Sequence, residues 1–154
     1  MIKKLLTLLL MAGVLTGCQA EQKKMLGITG YNYTNRYIDG FSVNGQGGSN
    51  VLISEDNTGG GKTTCCIVLR PDQELPVKVS VEWTYGVEGD LRTGKIFRQS
   101  ETHQMEVDLV GPIPKDPTIF VVHFYPDNTV QVEVAADYPK PRLKRSALQQ
   151  GAKP

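Results

Sequence analysis

Val77-Lys78-Val79-Ser80-Val81-Glu82-Trp83 alternates apolar and polar residues without a break. A period of two places Val77, Val79, Val81 and Trp83 on one face of an extended strand, and that face must be buried against a second layer. Met105-Glu106-Val107-Asp108-Leu109 repeats the pattern. Residues 118–125 and 130–134 flank Pro126-Asp127-Asn128-Thr129, whose Pro and Asx chemistry predicts a hairpin. Further strands are predicted over 27–33, 38–43, 50–53 and 63–69. Apolar residues nowhere recur at helical spacing over a helix's length without Gly or Pro intervening; only 143–150 predicts a helical turn or two. About eight short strands separated by Gly/Pro turns describe an all-β chain, an antiparallel β-sandwich or barrel-like sheet. No internal repeat is present.

The first residues describe an address rather than a fold. Met1-Ile2-Lys3-Lys4 is a short basic head, and an eleven-residue apolar run follows from Leu5 to Leu15. That run falls short of the ~20 residues a membrane-spanning helix needs. A basic head, a short apolar core and small residues after it predict a secretory signal over 1–17. Leu15-Thr16-Gly17-Cys18 resembles the lipobox of bacterial lipoproteins. The resemblance implies cleavage before Cys18 and acylation of Cys18, so that the only non-protein group expected is the N-terminal acyl and diacylglyceryl lipid. Gln19 follows, and the absence of Asp there implies the periplasmic face of the outer membrane. Two or three acyl chains anchor a protein far more stably than one. Residues 18–25 then form a lipidated tether whose reach is roughly 25 Å, 26–139 the β-domain, and 140–154 a basic, flexible tail.

Charge narrows the partners. Residues 24–139 hold nine Lys/Arg against fifteen Asp/Glu, a net of −6, which argues against nucleic acid. The tail adds Lys140, Arg142, Lys144, Arg145 and Lys153 without an acid, a pattern suited to a solvated terminus or to anionic headgroups.

Thr58-Gly59-Gly60-Gly61-Lys62-Thr63-Thr64-Cys65-Cys66 looks at first like a phosphate-binding loop. The motif requires Gly five positions before Gly61, where Asp56 stands, and a helix after Lys62, where a β-branched run follows. No nucleotide is expected. Cys65 and Cys66 admit two readings. Neighbours on a regular strand point to opposite faces with Cα atoms about 3.8 Å apart, which favours two free thiols. Free thiols are the preferred reading, and an oxidising compartment keeps a vicinal disulfide at a bulge as the alternative. His103 and His123 are the chain's two histidines. His123, between Val122 and Phe124, reads as a hydrogen-bonded strand residue, and a Cys66–His123 dyad lacks the Gly-flanked elbow of a nucleophile. No spacing predicts a metal site, and no residue argues for an enzyme.

The remaining signal lies in order. Gly30-Tyr31-Asn32-Tyr33-Thr34-Asn35-Arg36-Tyr37-Ile38-Asp39, then Phe41-Ser42-Val43-Asn44-Gly45, then Gly59-Gly60-Gly61 before Cys65-Cys66, Arg70-Pro71, Trp83 and a closing hairpin, together resemble a family of small Gram-negative lipoproteins of unassigned domain function. The motif residues are Tyr31, Asn32, Arg36, Tyr37, Asp39, Asn44, Gly45, Gly59, Gly60, Gly61, Cys65, Cys66 and Trp83. Such lipoproteins are associated with type VI secretion clusters beside phospholipase effectors of the Tle class. The resemblance implies an immunity protein of the Tli class that binds a secreted phospholipase and blocks it sterically, with no catalysis of its own. Contacts are expected from Asn44, Gln46, Ser49 and Asn50 in one loop and from Tyr85, Glu88, Asp90 and Arg92 in the linker after Trp83. The competing expectation is a structural or ligand-binding envelope lipoprotein without a toxin partner.

Overall fold

The computed structural model describes residues 23–70 and 73–150; the signal, Cys18 and nearly all of the tether lie outside the described residues. Ten strands run in chain order: β1 Lys24–Asn32, β2 Ile38–Val43, β3 Gln46–Gly47, β4 Thr64–Leu69, β5 Val77–Tyr85, β6 Glu88–Asp90, β7 Lys95–Arg98, β8 Glu101–Leu109, β9 Ile119–Phe124 and β10 Val130–Ala135. One helix, α1 Arg145–Gln150, follows. The fold is all-β, as the alternation predicts.

Two four-stranded sheets carry the architecture, ordered β10-β9-β1-β4 and β3-β2-β5-β8. Every pairing is antiparallel except β1 with β9, which run parallel over Gly27–Asn32 against Ile119–Phe124. Their inner faces share one core, in which Leu26, Ile28, Phe41, Val81, Trp83, Phe120, Val122, Phe124 and Val132 pack together. On β5 the predicted register holds: Val79, Val81, Trp83 and Tyr85 point inward and Lys78 and Glu82 outward. Burial of a large apolar side chain contributes about 1.5–3 kcal/mol, and this layer is the main source of stability.

Three elements differ from expectation. Residues 50–53 form no strand; Val51 makes single bridges to Ile38 and Gly61, and Ile53 one to Asn32. The glycines explain the crowding there: Gly60 adopts φ +86°, and a Cβ on Gly61 would lie 2.7 Å from the Gly30 carbonyl oxygen. The linker after Trp83 is no loop but a ribbon, β6 paired with β7 in a two-stranded sheet of its own. Alternation could not reveal it, since residues 91–100 are all exposed and have no inner face.

The third is the first part of the segment expected to be a flexible tail. Residues 138–148 lie across the outer face of the first sheet, where Leu143 and Leu148 pack against Tyr31, Tyr33, Ile119 and Val121. The cause is in β9, buried at every position. Its inward residues meet the second sheet, while Ile119, Val121 and His123 need a cover on the other side.

Candidate functional site

The second predicted contact segment, and Asn50 of the first, are organised around the β1–β2 turn. Asn32, fully buried, accepts the backbone N–H (3.0 Å) and the hydroxyl (2.7 Å) of Thr34 on Oδ1. Its amide donates to the carbonyls of Arg36 (2.7 Å) and Val51 (3.2 Å). This turn fixes Arg36, whose side chain is only 12% exposed. The guanidinium donates to the carbonyls of Gln99 (2.7 Å) and Gly86 (3.4 Å), pairs with Glu101 at 2.8 Å, approaches Glu88 at 3.7 Å and sits 4.6 Å over the Tyr85 ring. One arginine thus holds both legs of the β6–β7 ribbon. A fork with five fixed donors suits that task better than an ammonium. Beside it opens a cleft of about 260 Å³ lined by Arg36, Tyr85, Arg98, Glu101 and Asn128.

Tyr37 joins the two segments. Its hydroxyl accepts from the Asn50 amide at 2.7 Å and its carbonyl accepts from Gly86 N–H at 3.0 Å. Asn50, Tyr85 and Glu88 therefore share one pole. Glu88 lies between Arg36 and Arg98, and Asp90 accepts the N–H groups of Arg92 and Thr93, which holds its carboxyl below the usual range. Arg92 is exposed in the ribbon's turn.

Asn44 and Gln46 do not join them. Asn44 (φ 50°) and Gly45 (φ 77°) form a tight hairpin turn with Asn44 bonded to Ser80, about 17 Å along β2 from the Arg36 pole. The Gln46 amide donates to the Cys65 carbonyl at 3.3 Å, and Ser49 both accepts from and donates to the Lys62 backbone. These residues fasten the glycine-rich stretch to β2–β3. Asp39 is exposed on the outer side of β2. Trp83 is core.

Cys65 and Cys66 are joined in a vicinal disulfide, which corrects the preference for free thiols. That preference assumed a regular trans strand; the peptide between them is cis and the Cα atoms are 3.1 Å apart. A Cys66–His123 dyad does not form. Two strand spacings and four residues along β1 separate them, about 16 Å.

Sequence reasoning missed what surrounds His123. Its ring is fully buried, with Nδ1 2.9 Å from the Tyr33 hydroxyl and Nε2 2.9 Å from Glu133 Oε1. Tyr33 Oη already accepts the Arg142 N–H at 2.8 Å, so its own proton goes to Nδ1. The neutral imidazole then carries its hydrogen on Nε2 and donates to Glu133. Arg142 pairs with the second Glu133 oxygen at 2.7 Å. Burial pushes His123 down to about 4 and Tyr33 up to about 12. The legible signal was β9 itself, apolar at both parities. A groove of about 640 Å³ opens between the edges of β8 and β10, lined by Val107, Pro112, Val132 and Arg142, and none of the predicted contact residues lies on it.

A family described as protein of unknown function, DUF3304, matches residues 31–132, from the first motif tyrosine to the middle of β10. The chain belongs to this family. No curated protein and no solved structure matches it significantly. The DUF3304 region takes in the whole Arg36 clamp, the ribbon, the glycine stretch and the disulfide. Glu133 and Arg142, which hold the covering segment, fall outside the matched residues.

Proposed function

We propose that this chain is a membrane-anchored immunity lipoprotein that binds a type VI secretion phospholipase of the Tle class at the periplasmic face of the outer membrane and blocks its access to lipid. The observation that carries the reading is the Arg36 clamp, which presents the β6–β7 ribbon, Asn50 and Glu88 as one fixed, exposed pole. A pre-organised surface binds with less ordering cost than a mobile loop. The lipobox at Cys18 supports the location, and tethering raises the inhibitor's local concentration at the surface where the enzyme works. The family match, to a family of unknown function, spans most of the residues on which the immunity resemblance rests.

The test is periplasmic expression of a type VI secretion phospholipase of the Tle class, taken from the gene neighbourhood of this chain where one is found there, with and without this chain. Survival with the full chain and lysis without it is the expected outcome. Equal killing in both cultures ends the reading. Cys18→Ser should abolish incorporation of labelled palmitate and weaken protection.

A further inference from the structure

The β6–β7 ribbon concentrates apolar surface where a folded domain normally shows none. Leu91 is fully exposed at its turn (103%), Phe97 is 62% exposed, and Val87 and Ile96 are more than half exposed. Such a projecting apolar patch marks an interaction site. Both ends of the ribbon are fixed: Arg36 grips the base, and the Asp90 carboxylate gathers the N–H groups of Arg92 and Thr93 at the turn. The Asp90 carboxylate keeps its charge but is turned onto those N–H groups, and Glu88 sits between Arg36 and Arg98. The cations exposed near the tip are Arg92 and Lys95, the latter 5.8 Å from the Phe97 ring.

Two observations choose between a bilayer and a protein. The tether is expected to leave at Lys24, and β1 carries the chain about 26 Å from there to the Asn32 end, beyond which the ribbon projects. The ribbon thus stands at the pole opposite the anchor. The body from Lys24 to Pro139 carries a net charge of −6, which anionic headgroups repel. Both favour a protein.

Resting on the immunity reading, we infer that the β6–β7 ribbon is the inhibitory wedge: Leu91 and Phe97 enter the apolar lipid-access cleft of the phospholipase, and Arg92 and Lys95 pair with carboxylates on its rim. The wedge occupies the volume that acyl chains need, so inhibition requires no contact with the catalytic groups.

The test uses the full chain and the phospholipase of the protection experiment above. Leu91→Asp with Phe97→Asp should weaken binding about 30-fold or more, the usual effect of removing a central apolar anchor. Arg92→Glu with Lys95→Glu should slow association most at low salt. Both pairs are exposed, so circular dichroism and thermal unfolding should match wild type; Glu82→Gln on the open sheet face should leave affinity unchanged. If wild type binds and inhibits and the Leu91/Phe97 variant does so equally, the wedge is wrong while the immunity reading stands. If wild type itself does not bind, the immunity reading falls and takes the wedge with it. A variant that loses phosphatidylglycerol vesicles but keeps the enzyme would make the ribbon a membrane element and overturn the inference.

Discussion

The two sheets of the sandwich share a core but treat their outer faces in opposite ways. Outside the first sheet, Ile119, Val121, Tyr31, Tyr33 and His123 are buried beneath residues 138–148. Outside the second, Ser80, Glu82, Thr84, Thr102, Gln104 and Glu106 meet solvent, with no layer over them among the described residues. Outward-facing chemistry decides the difference. The second face satisfies itself across strands, with Thr84 to Thr102 at 2.9 Å, Gln104 to Ser80 at 3.1 Å and Lys78 to Asp108 at 3.4 Å. The first is apolar and aromatic around one imidazole and gains by excluding water. A stop in place of Lys140 should break this contrast most directly. It removes Leu143, Leu148 and the Arg142–Glu133 pair and uncovers Tyr33, at a cost of roughly 4 kcal/mol. Urea unfolding measures it; a loss below about 1 kcal/mol would show that the cover is not needed.

Acid should reach the covered face before the open one. Desolvation is the main cause of His123's lowered pKa, set against the Glu133 hydrogen bond, which raises it, and the nearby Arg142 charge, which lowers it further. The rings of Tyr31 and Tyr33 complete its surroundings. The folded value is about 4 against an ordinary 6.5, so between these the unfolded chain binds more protons. Stability is therefore full above pH 6.5 and falls on acidification, by about 3 kcal/mol at pH 4. Burial raises the Glu133 carboxyl, but hydrogen bonds from Arg142 and His123 outweigh it and hold the group below its ordinary value, so Glu133 acts in the same direction there. His123→Gln should flatten the slope between pH 6.5 and 4. An unchanged slope in that variant would assign the acid sensitivity elsewhere.

Legibility in the sequence followed the same division. Strands with one apolar face, β5, β8 and β10, were readable because alternation reports a single buried side, and β9 because a Pro-Asx turn joins it to β10. The cover was not, since 140–148 is mostly polar and basic and docks through Arg142, Arg145 and Ser146 as much as through leucines. Polar docking has no period. The ribbon escaped for a related reason: with no buried side, β6 and β7 leave no alternation to find. At the candidate site, Asn50, Tyr85 and Glu88, named from two separate segments, come together on one pole, whereas Asn44 belongs to a distant turn. Arg36, which organises that pole, appeared only as one letter of a motif, because its bonds reach 50 and 63 residues along the chain.

Single carboxylates offer a finer test of the contrast. Glu133→Gln keeps the shape beneath the cover but removes the charge that both the His123 Nε2–H and the Arg142 guanidinium address. An amide can accept from one of them, and its own N–H then faces the other donor. The expected loss is about 1–3 kcal/mol, the range for an interrupted charge-assisted pair in a partly dry site. Thermal unfolding at pH 7 measures it, and Glu133→Ala with Arg142→Ala in a double-mutant cycle isolates the pair.

The smallest effect belongs to the open face. Glu82 stands exposed between Ser42 on β2 and Gln104 on β8, three outward residues in one cross-strand row. Water solvates its carboxylate in the folded and the unfolded chain alike, so Glu82→Gln should change stability by less than about 0.5 kcal/mol. The prediction isolates cover as the variable, since Glu82 and Glu133 are the same residue type, each on an outward position of a strand. Loss at Glu82 as large as at Glu133 would mean that the open face is covered in solution, by a second copy or by a segment beyond residue 150, and a concentration series of the same unfolding curve would separate those two.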